Sequence, residues 1–193
     1  SGATGAGKTT FLSALISLVA PTERLVVIEE AQEIITAHPH CVRLEARGAN
    51  AEGRGLVSLR DLVRESLRMR PDRIVLGECR GPEVREVLTA LNTGHEGSAA
   101  TIHANSCADV PARLAALGSL ADMDGRTVAV QAAAALGAVA HLARDPSGRR
   151  RLEAVAAFNL VGSELVAEPA WTFGAGGGAG PGWERLARRL RRA

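Results

Sequence analysis

Apolar residues in the first two thirds of the chain fall into two patterns. Short continuous runs, Leu25-Val-Val-Ile28 and Ile74-Val-Leu76, are β-branched and too brief for helices, which predicts buried strands. Cys41 to Glu45 and Ser98 to His103 read as further strands. Between them lie helically spaced sets. Phe11, Leu12, Leu15, Ile16, Leu18 and Val19 cover nearly every face of a helix over 10–20 that Pro21 stops. Leu59, Leu62, Val63 and Leu67 oppose Arg60, Asp61, Arg64, Glu65 and Arg68 on a second helix, broken at Pro71-Asp72. Pro82 opens a third, carrying Val84, Val87, Leu88 and Leu91 and ending at Gly94. A fourth carries Val110, Leu114 and Leu117 behind a Ser106-x-x-Asp109 cap, and a fifth spans Val128 to Leu136.

Further along, the pattern changes to strands at 138–143, 150–160 and 164–173, joined by Asp145-Pro-Ser-Gly148 and Gly162-Ser163. Residues 174–182 hold six glycines and a proline, which predicts a flexible linker. The organisation expected is an α/β core over 1–143 with a mainly parallel sheet. A small antiparallel β appendage over 144–173, the linker over 174–182 and a basic amphipathic helix over 183–193 follow it.

Composition adds one decisive residue. Of the 23 basic side chains, 22 are arginine and one is lysine, Lys8. Arginine is a planar fork and lysine a compact ammonium, so a lone lysine marks a place where the compact shape is needed. Net charge is only +2, which argues against direct nucleic-acid binding. No apolar run is long enough for a membrane helix. Three cysteines without a C-x-x-C pair fit a reducing compartment and exclude a four-cysteine zinc site.

Lys8 closes Gly2-Ala3-Thr4-Gly5-Ala6-Gly7-Lys8-Thr9, a complete G-x-x-x-x-G-K-[ST] loop running through Thr10 into the first helix. In such a loop, backbone N–H groups and a helix N-terminus receive a β-phosphate. The lysine reaches the β- and γ-phosphates, and the threonine hydroxyl is placed for Mg²⁺. Phosphoryl transfer to water also needs acids at strand ends. Glu78 follows the run Ile74 to Gly77, and Glu29 and Glu30 end the run Leu25 to Ile28. His38, His40, His95 and His103 have no zinc spacing, so a hydrogen-bonding role near phosphate suits the last two better. Arg60, Arg68, Arg70, Arg73 and Arg80 crowd the stretch between the acids, Arg70 and Arg80 being the candidates for an arginine finger. The chain lacks an N-K-x-D guanine motif, which favours ATP over GTP.

These motifs together carry a resemblance. Gly2 to Thr10, Val27-Ile-Glu-Glu30, Asn50 to Arg54, Leu67 to Gly81, Asn92 to Ser98 and Thr101-Ile-His-Ala-Asn105 resemble, in order and spacing, the type II/IV secretion ATPases. The similarity is strongest to the CpaF/TadA branch, the Flp-pilus and conjugal-transfer-associated motors. The resemblance implies a RecA-like P-loop fold, a homohexamer, Mg-ATP hydrolysis, and work on an inner-membrane pilus or secretion platform from the cytoplasmic face of the plasma membrane. Matched position by position, Lys8 and Thr9 take the Walker A places and Glu29 and Glu30 the acidic box, the first carboxylate activating water. Glu78 takes the Walker B place, holding Mg²⁺ through water, and His103 with His95 the histidine box. The family's acidic box usually ends in aspartate, so Glu30 departs from it by one methylene. Only Ser1 precedes the loop, so the expectation is a C-terminal motor domain of a longer protein with its first core strand missing. A non-catalytic remnant that at most binds nucleotide or docks on intact subunits is the alternative.

Overall fold

The computed structural model describes residues 1–174 and 176–191. Two compact units share the chain: Thr9–Thr101, and Ser1–Lys8 together with the segment from Ile102 to the C-terminus.

The Thr9–Thr101 unit is built on a parallel sheet. Its elements are α1 (Lys8–Ile16), β1 (Leu25–Glu29), β2 (Cys41–Glu45), α2 (Leu59–Ser66), β3 (Arg73–Leu76), α3 (Val84–Leu91) and β4 (Ala99–Ala100), in sheet order β2-β1-β3-β4. All three pairings are parallel, with Leu25 opposite both Cys41 and Arg73, and Val75 opposite Ala99. Every residue of β1 is buried, as a central strand covered on both faces requires. Leu12 and Ile16 of α1 pack with Leu25, Val27, Ile34 and Val75 to form its core. Ser58 and Asp61 form a reciprocal capping box at the start of α2, fixing the turn from which Leu59 and Val63 enter the interior.

Two expected boundaries move. The first helix stops at Ile16, four residues short of Ala20, and leaves Leu15 and Leu18 exposed. The Ser17 hydroxyl donates back to the Ala14 carbonyl there, a local bond that competes with helix continuation. The strand expected over 98–103 is regular only at Ala99–Ala100. Pairing continues irregularly beyond it, through Thr101 N–H to the Leu76 carbonyl and Cys79 N–H to the Thr101 carbonyl.

The other unit carries α4 (Val110–Leu120), α5 (Gly125–Ala135), β5 (Ala138–Arg144), β6 (Arg150–Val161), β7 (Glu164–Thr172), β8 (Gly178–Ala179) and α6 (Trp183–Leu190). The strands form one antiparallel sheet in chain order. Gly118 lets α4 and α5 approach: a Cβ there would lie 2.3 Å from Val128 Cγ2. Asp124 caps α5 by accepting the Thr127 N–H, so this helix begins three residues earlier than its apolar pattern suggests. Leu186 of α6 packs on Ala157 and Ala170, and Trp171 stacks at a tilt against Trp183, centroids 5.4 Å apart. Arg189 donates to the Leu136 and Ala133 carbonyls at 3.1 and 3.2 Å, closing the C-terminal end of α5. Ser1 lies beside β5, its terminal ammonium donating to the Ala140 carbonyl and its carbonyl accepting the Leu142 N–H. The glycine run expected as a linker holds β8, which pairs with Trp171 and Thr172. The last two residues of the expected terminal helix, 192 and 193, lie outside the described residues.

Candidate functional site

The phosphate loop belongs to the unit of Ser1–Lys8 and Ile102 onward. Gly5 and Gly7 have φ of 71° and 96°, a conformation other residues adopt at a cost, which explains glycine at both. At Gly2 a Cβ would lie 2.5 Å from the Leu142 carbonyl oxygen, so the loop enters too close to β5 for a side chain. Lys8 Nζ donates to the Ala3 carbonyl at 3.1 Å and lies 3.3 Å from His103 Nε2. The Ala6 N–H donates to the same Ala3 oxygen. Arg144 and Arg150 both donate to the Gly5 carbonyl. Thr4, Gly5 and Thr10 are exposed.

The acids belong to the Thr9–Thr101 unit. Glu29, the last residue of β1, is 4% exposed. Its Oε1 accepts the N–H groups of Glu33 and Ile34 at 3.0 and 2.8 Å, and its Oε2 faces Arg43 at 3.3 Å. A buried carboxylate is tolerated only when so paired. Gly77 gives it room, since a Cβ at 77 would lie 2.9 Å from Glu29 Cγ. Glu78 is half-buried immediately beyond Gly77, whose N–H donates to the Ile28 carbonyl and whose own carbonyl accepts the Thr101 hydroxyl. Glu30, by contrast, is exposed and ion-paired to Arg80, whose Nε and Nη2 donate to its two oxygens along one guanidinium edge, and this carboxylate raises the Arg80 pKa further. Buried Glu83 accepts the backbone N–H groups of Arg80 and Gly81, fixing the turn after β3. Arg70 ends the 3₁₀ turn Leu67–Met69 in the left-handed region, φ 51°, with its side chain exposed. His95 donates from Nδ1 to the Ala90 carbonyl at the end of α3.

The Thr9 hydroxyl donates to Glu33 Oε2 at 3.2 Å. Among the described residues no cluster of three or more His, Cys, Asp or Glu could hold a metal by protein ligands alone. Mg²⁺ typically keeps its waters, takes one or two protein oxygens and shares the rest with phosphate, so a hydroxyl at Thr9 and a carboxylate at Glu78 suit it. Glu33, Arg43, Arg144 and Arg150 escaped the sequence reading. Only Glu33, an acid four residues beyond Glu29, offered a spacing that could have flagged it.

A G-x-x-x-x-G-K-T loop running into a helix, and a parallel sheet whose strands end in acids, are features of the P-loop α/β class. Residues 1–170 match the family model described as type II/IV secretion system protein, and the chain belongs to that family. It is 52% identical over 170 residues to a Mycobacterium tuberculosis (strain ATCC 25618 / H37Rv) protein named, provisionally, for conjugal transfer, covering 88% of this chain and 48% of that one. It is 34% identical over 158 residues to the conjugal transfer protein TrbB of Rhizobium radiobacter, covering 80% and 46%. The chain thus spans about half the length of these relatives. Among solved structures, the VirB11 ATPase of the Brucella suis type IV secretion system, in complex with sulphate, superposes with a TM-score of 0.71 at 29% identity. That match covers 81% of this chain and 46% of the other. The pilus retraction motor PilT with bound ADP shares the fold, with a TM-score of 0.59 at 22% identity over the whole of this chain and 50% of PilT. Among the described residues no helix is long and apolar enough to cross a membrane.

Proposed function

We propose that this chain is the ATP-hydrolysing motor domain of a pilus-assembly or conjugal-transfer machine of the CpaF/TadA type, working as a homohexamer on a membrane platform from the cytoplasmic side. The observation that carries the reading is the state of the Ala3 carbonyl. It accepts both the Lys8 ammonium and the Ala6 N–H, the two kinds of donor that a phosphate oxygen takes over in such a loop. The sulphate held by the similar Brucella suis ATPase supports an anion site in this fold.

Mg-ATP, when bound, supplies the phosphoryl group and the charge of the leaving diphosphate. The chain's own residues divide the remaining work. Gly2, Ala3, Thr4, Gly5, Ala6 and Gly7 would present backbone N–H groups, Lys8 would neutralise the outer phosphates, and Thr9 and Glu78 would hold Mg²⁺ with its waters. Glu29 Oε2, the oxygen not committed to backbone N–H groups, takes the proton of the attacking water. His103, within reach of Lys8, reports on the outer phosphate. Arg80 is committed to Glu30 in its own chain, which leaves Arg70 as the finger offered to a neighbouring subunit.

The test is steady-state hydrolysis by the full-length protein. Lys8→Ala and Lys8→Arg should each lower turnover about 10²–10³-fold, the scale of losing one positioned charge at a developing anion. Wild-type rates in both variants refute the assignment.

A further inference from the structure

Two arginines meet the phosphate loop at a single atom. Arg144 closes β5, Arg150 opens β6, and the two are register partners across that hairpin. Arg144 donates from Nε and Nη2 to the Gly5 carbonyl at 3.1 and 2.9 Å, and Arg150 donates from Nε to the same oxygen at 3.0 Å. A carbonyl oxygen has two lone pairs, so three N–H groups from two cations exceed what it can satisfy. Both side chains are exposed, and holding them here costs rotamer freedom. Among the described residues neither has a carboxylate partner, whereas Arg43, Arg60, Arg73 and Arg80 each have one. Two like charges held together without a counter-ion are suited to an anion.

The loop's geometry says what they do to it. The peptide between Gly5 and Ala6 is trans and planar, so fixing its carbonyl on the arginine side turns the Ala6 N–H the opposite way. That N–H meets the Ala3 oxygen, which also holds Lys8. The Arg144 guanidinium lies directly on Gly5 and the Arg150 stem on Gly7. A Cβ at Gly5 would be 2.9 Å from Arg144 Nη2, and one at Gly7 3.1 Å from Arg150 Cδ.

We propose that Arg144 and Arg150 form a guanidinium clip that sets the Gly5–Ala6 peptide in its anion-receiving orientation and adds positive charge for the phosphates of a nucleoside polyphosphate. The clip rests on the reading of this loop as a nucleotide site. Both are positioning residues for the loop. Either can hold the Gly5 carbonyl alone, so single substitutions have small effects and the pair is the unit to test.

The experiment uses full-length protein carrying R144Q/R150Q, which removes both guanidinium groups and keeps the Arg150 stem over Gly7, beside R144K/R150K and Lys8→Ala. Fluorescent ADP is titrated in Mg²⁺ at two salt concentrations, with KM and kcat measured for ATP and melting followed without nucleotide. The glutamine pair should weaken ADP about tenfold and raise KM to match, as expected for lost charge-assisted hydrogen bonds. Its kcat should stay within about threefold and its melting at the wild-type temperature, with a shallower salt dependence of ADP affinity. The lysine pair should recover part of the affinity, since it restores charge without the fork. ADP affinity in the glutamine pair within about twofold of wild type, while Lys8→Ala has lost binding, overturns the clip and leaves the nucleotide site standing. Equal loss of melting temperature and affinity, cured by neither lysine nor high nucleotide, also overturns it. Undiminished binding by Lys8→Ala would instead overturn the nucleotide reading itself.

Discussion

Gly77→Ala tests whether the position of Glu29 matters as much as its charge. Gly77 does not have a left-handed φ, so space, not backbone freedom, demands glycine. The new methyl would sit 2.9 Å from Glu29 Cγ and 3.5 Å from both Glu29 Oε1 and the Ile28 carbonyl oxygen. Swinging the carboxylate away would surrender the Glu33 and Ile34 N–H bonds, each about 1.5–3 kcal/mol because the acceptor is charged. Shifting it slightly in place costs about 1–3 kcal/mol, the usual range for overpacking, so the side chain takes the smaller displacement. Alanine recovers about 0.4–1 kcal/mol by stiffening the unfolded chain. The net is a destabilisation of about 1–2 kcal/mol, or a melting temperature lower by roughly 2–8 °C for a chain of this length. Fluorescent ADP should bind within about twofold of wild type, while single-turnover ATP hydrolysis falls about 10–100-fold, since sub-ångström misplacement of a reacting group is already expensive. Glu29→Gln, which keeps the shape and loses the charge, should show the same split. Wild-type melting together with wild-type hydrolysis in Gly77→Ala would refute the reasoning.

Two further outcomes concern stability. Arg189→Ala removes the donors that close α5 at Leu136 and Ala133 and should cost about 1 kcal/mol, read as a small loss in a chemical melt, with nucleotide affinity unchanged. Stability should also fall with acid in two stages. Burial holds His141 below its ordinary pKa, so its contribution is complete above the unfolded imidazole value and lost as pH falls through the folded one. Glu23, lowered chiefly by Arg73, and Asp61, Asp124 and Asp145, lowered chiefly by Ser58, Thr127 and Ser147, contribute above the unfolded carboxylate values and lose it through their depressed folded ones. Melting scans at about pH 8, 5.5 and 3.5 check the order, and a melting temperature that rises toward acid contradicts it.

The parallel sheet was legible because β1 and β3 are buried on both faces, and burial writes itself as an unbroken apolar run. Where pairing is carried by backbone alone, the sequence is silent. β8 consists of Gly178 and Ala179, whose side chains say nothing about their partner Trp171. The same limit applies to the arginines. Twenty-two are present, and which of them meets Gly5 depends on the register of a hairpin, a long-range property. The phosphate loop was legible for the opposite reason: its chemistry is local, held in eight consecutive residues. Glu29 and Glu30 are adjacent in sequence yet differ sharply in the fold. One is buried and bound to backbone, the other exposed and ion-paired, because β1 ends at Glu29 and Glu30 lies in the bend just beyond the covered sheet.

Glu33 has two attachments. Its carboxylate receives the Thr9 hydroxyl, and its backbone N–H serves Glu29. The residue that would coordinate a cation and the residue that would deprotonate water are thus opposite ends of one tether of two hydrogen bonds through Glu33. Occupancy at one end and alignment at the other become a single variable, and evolution or an engineer cannot retune Thr9 while holding Glu29 still.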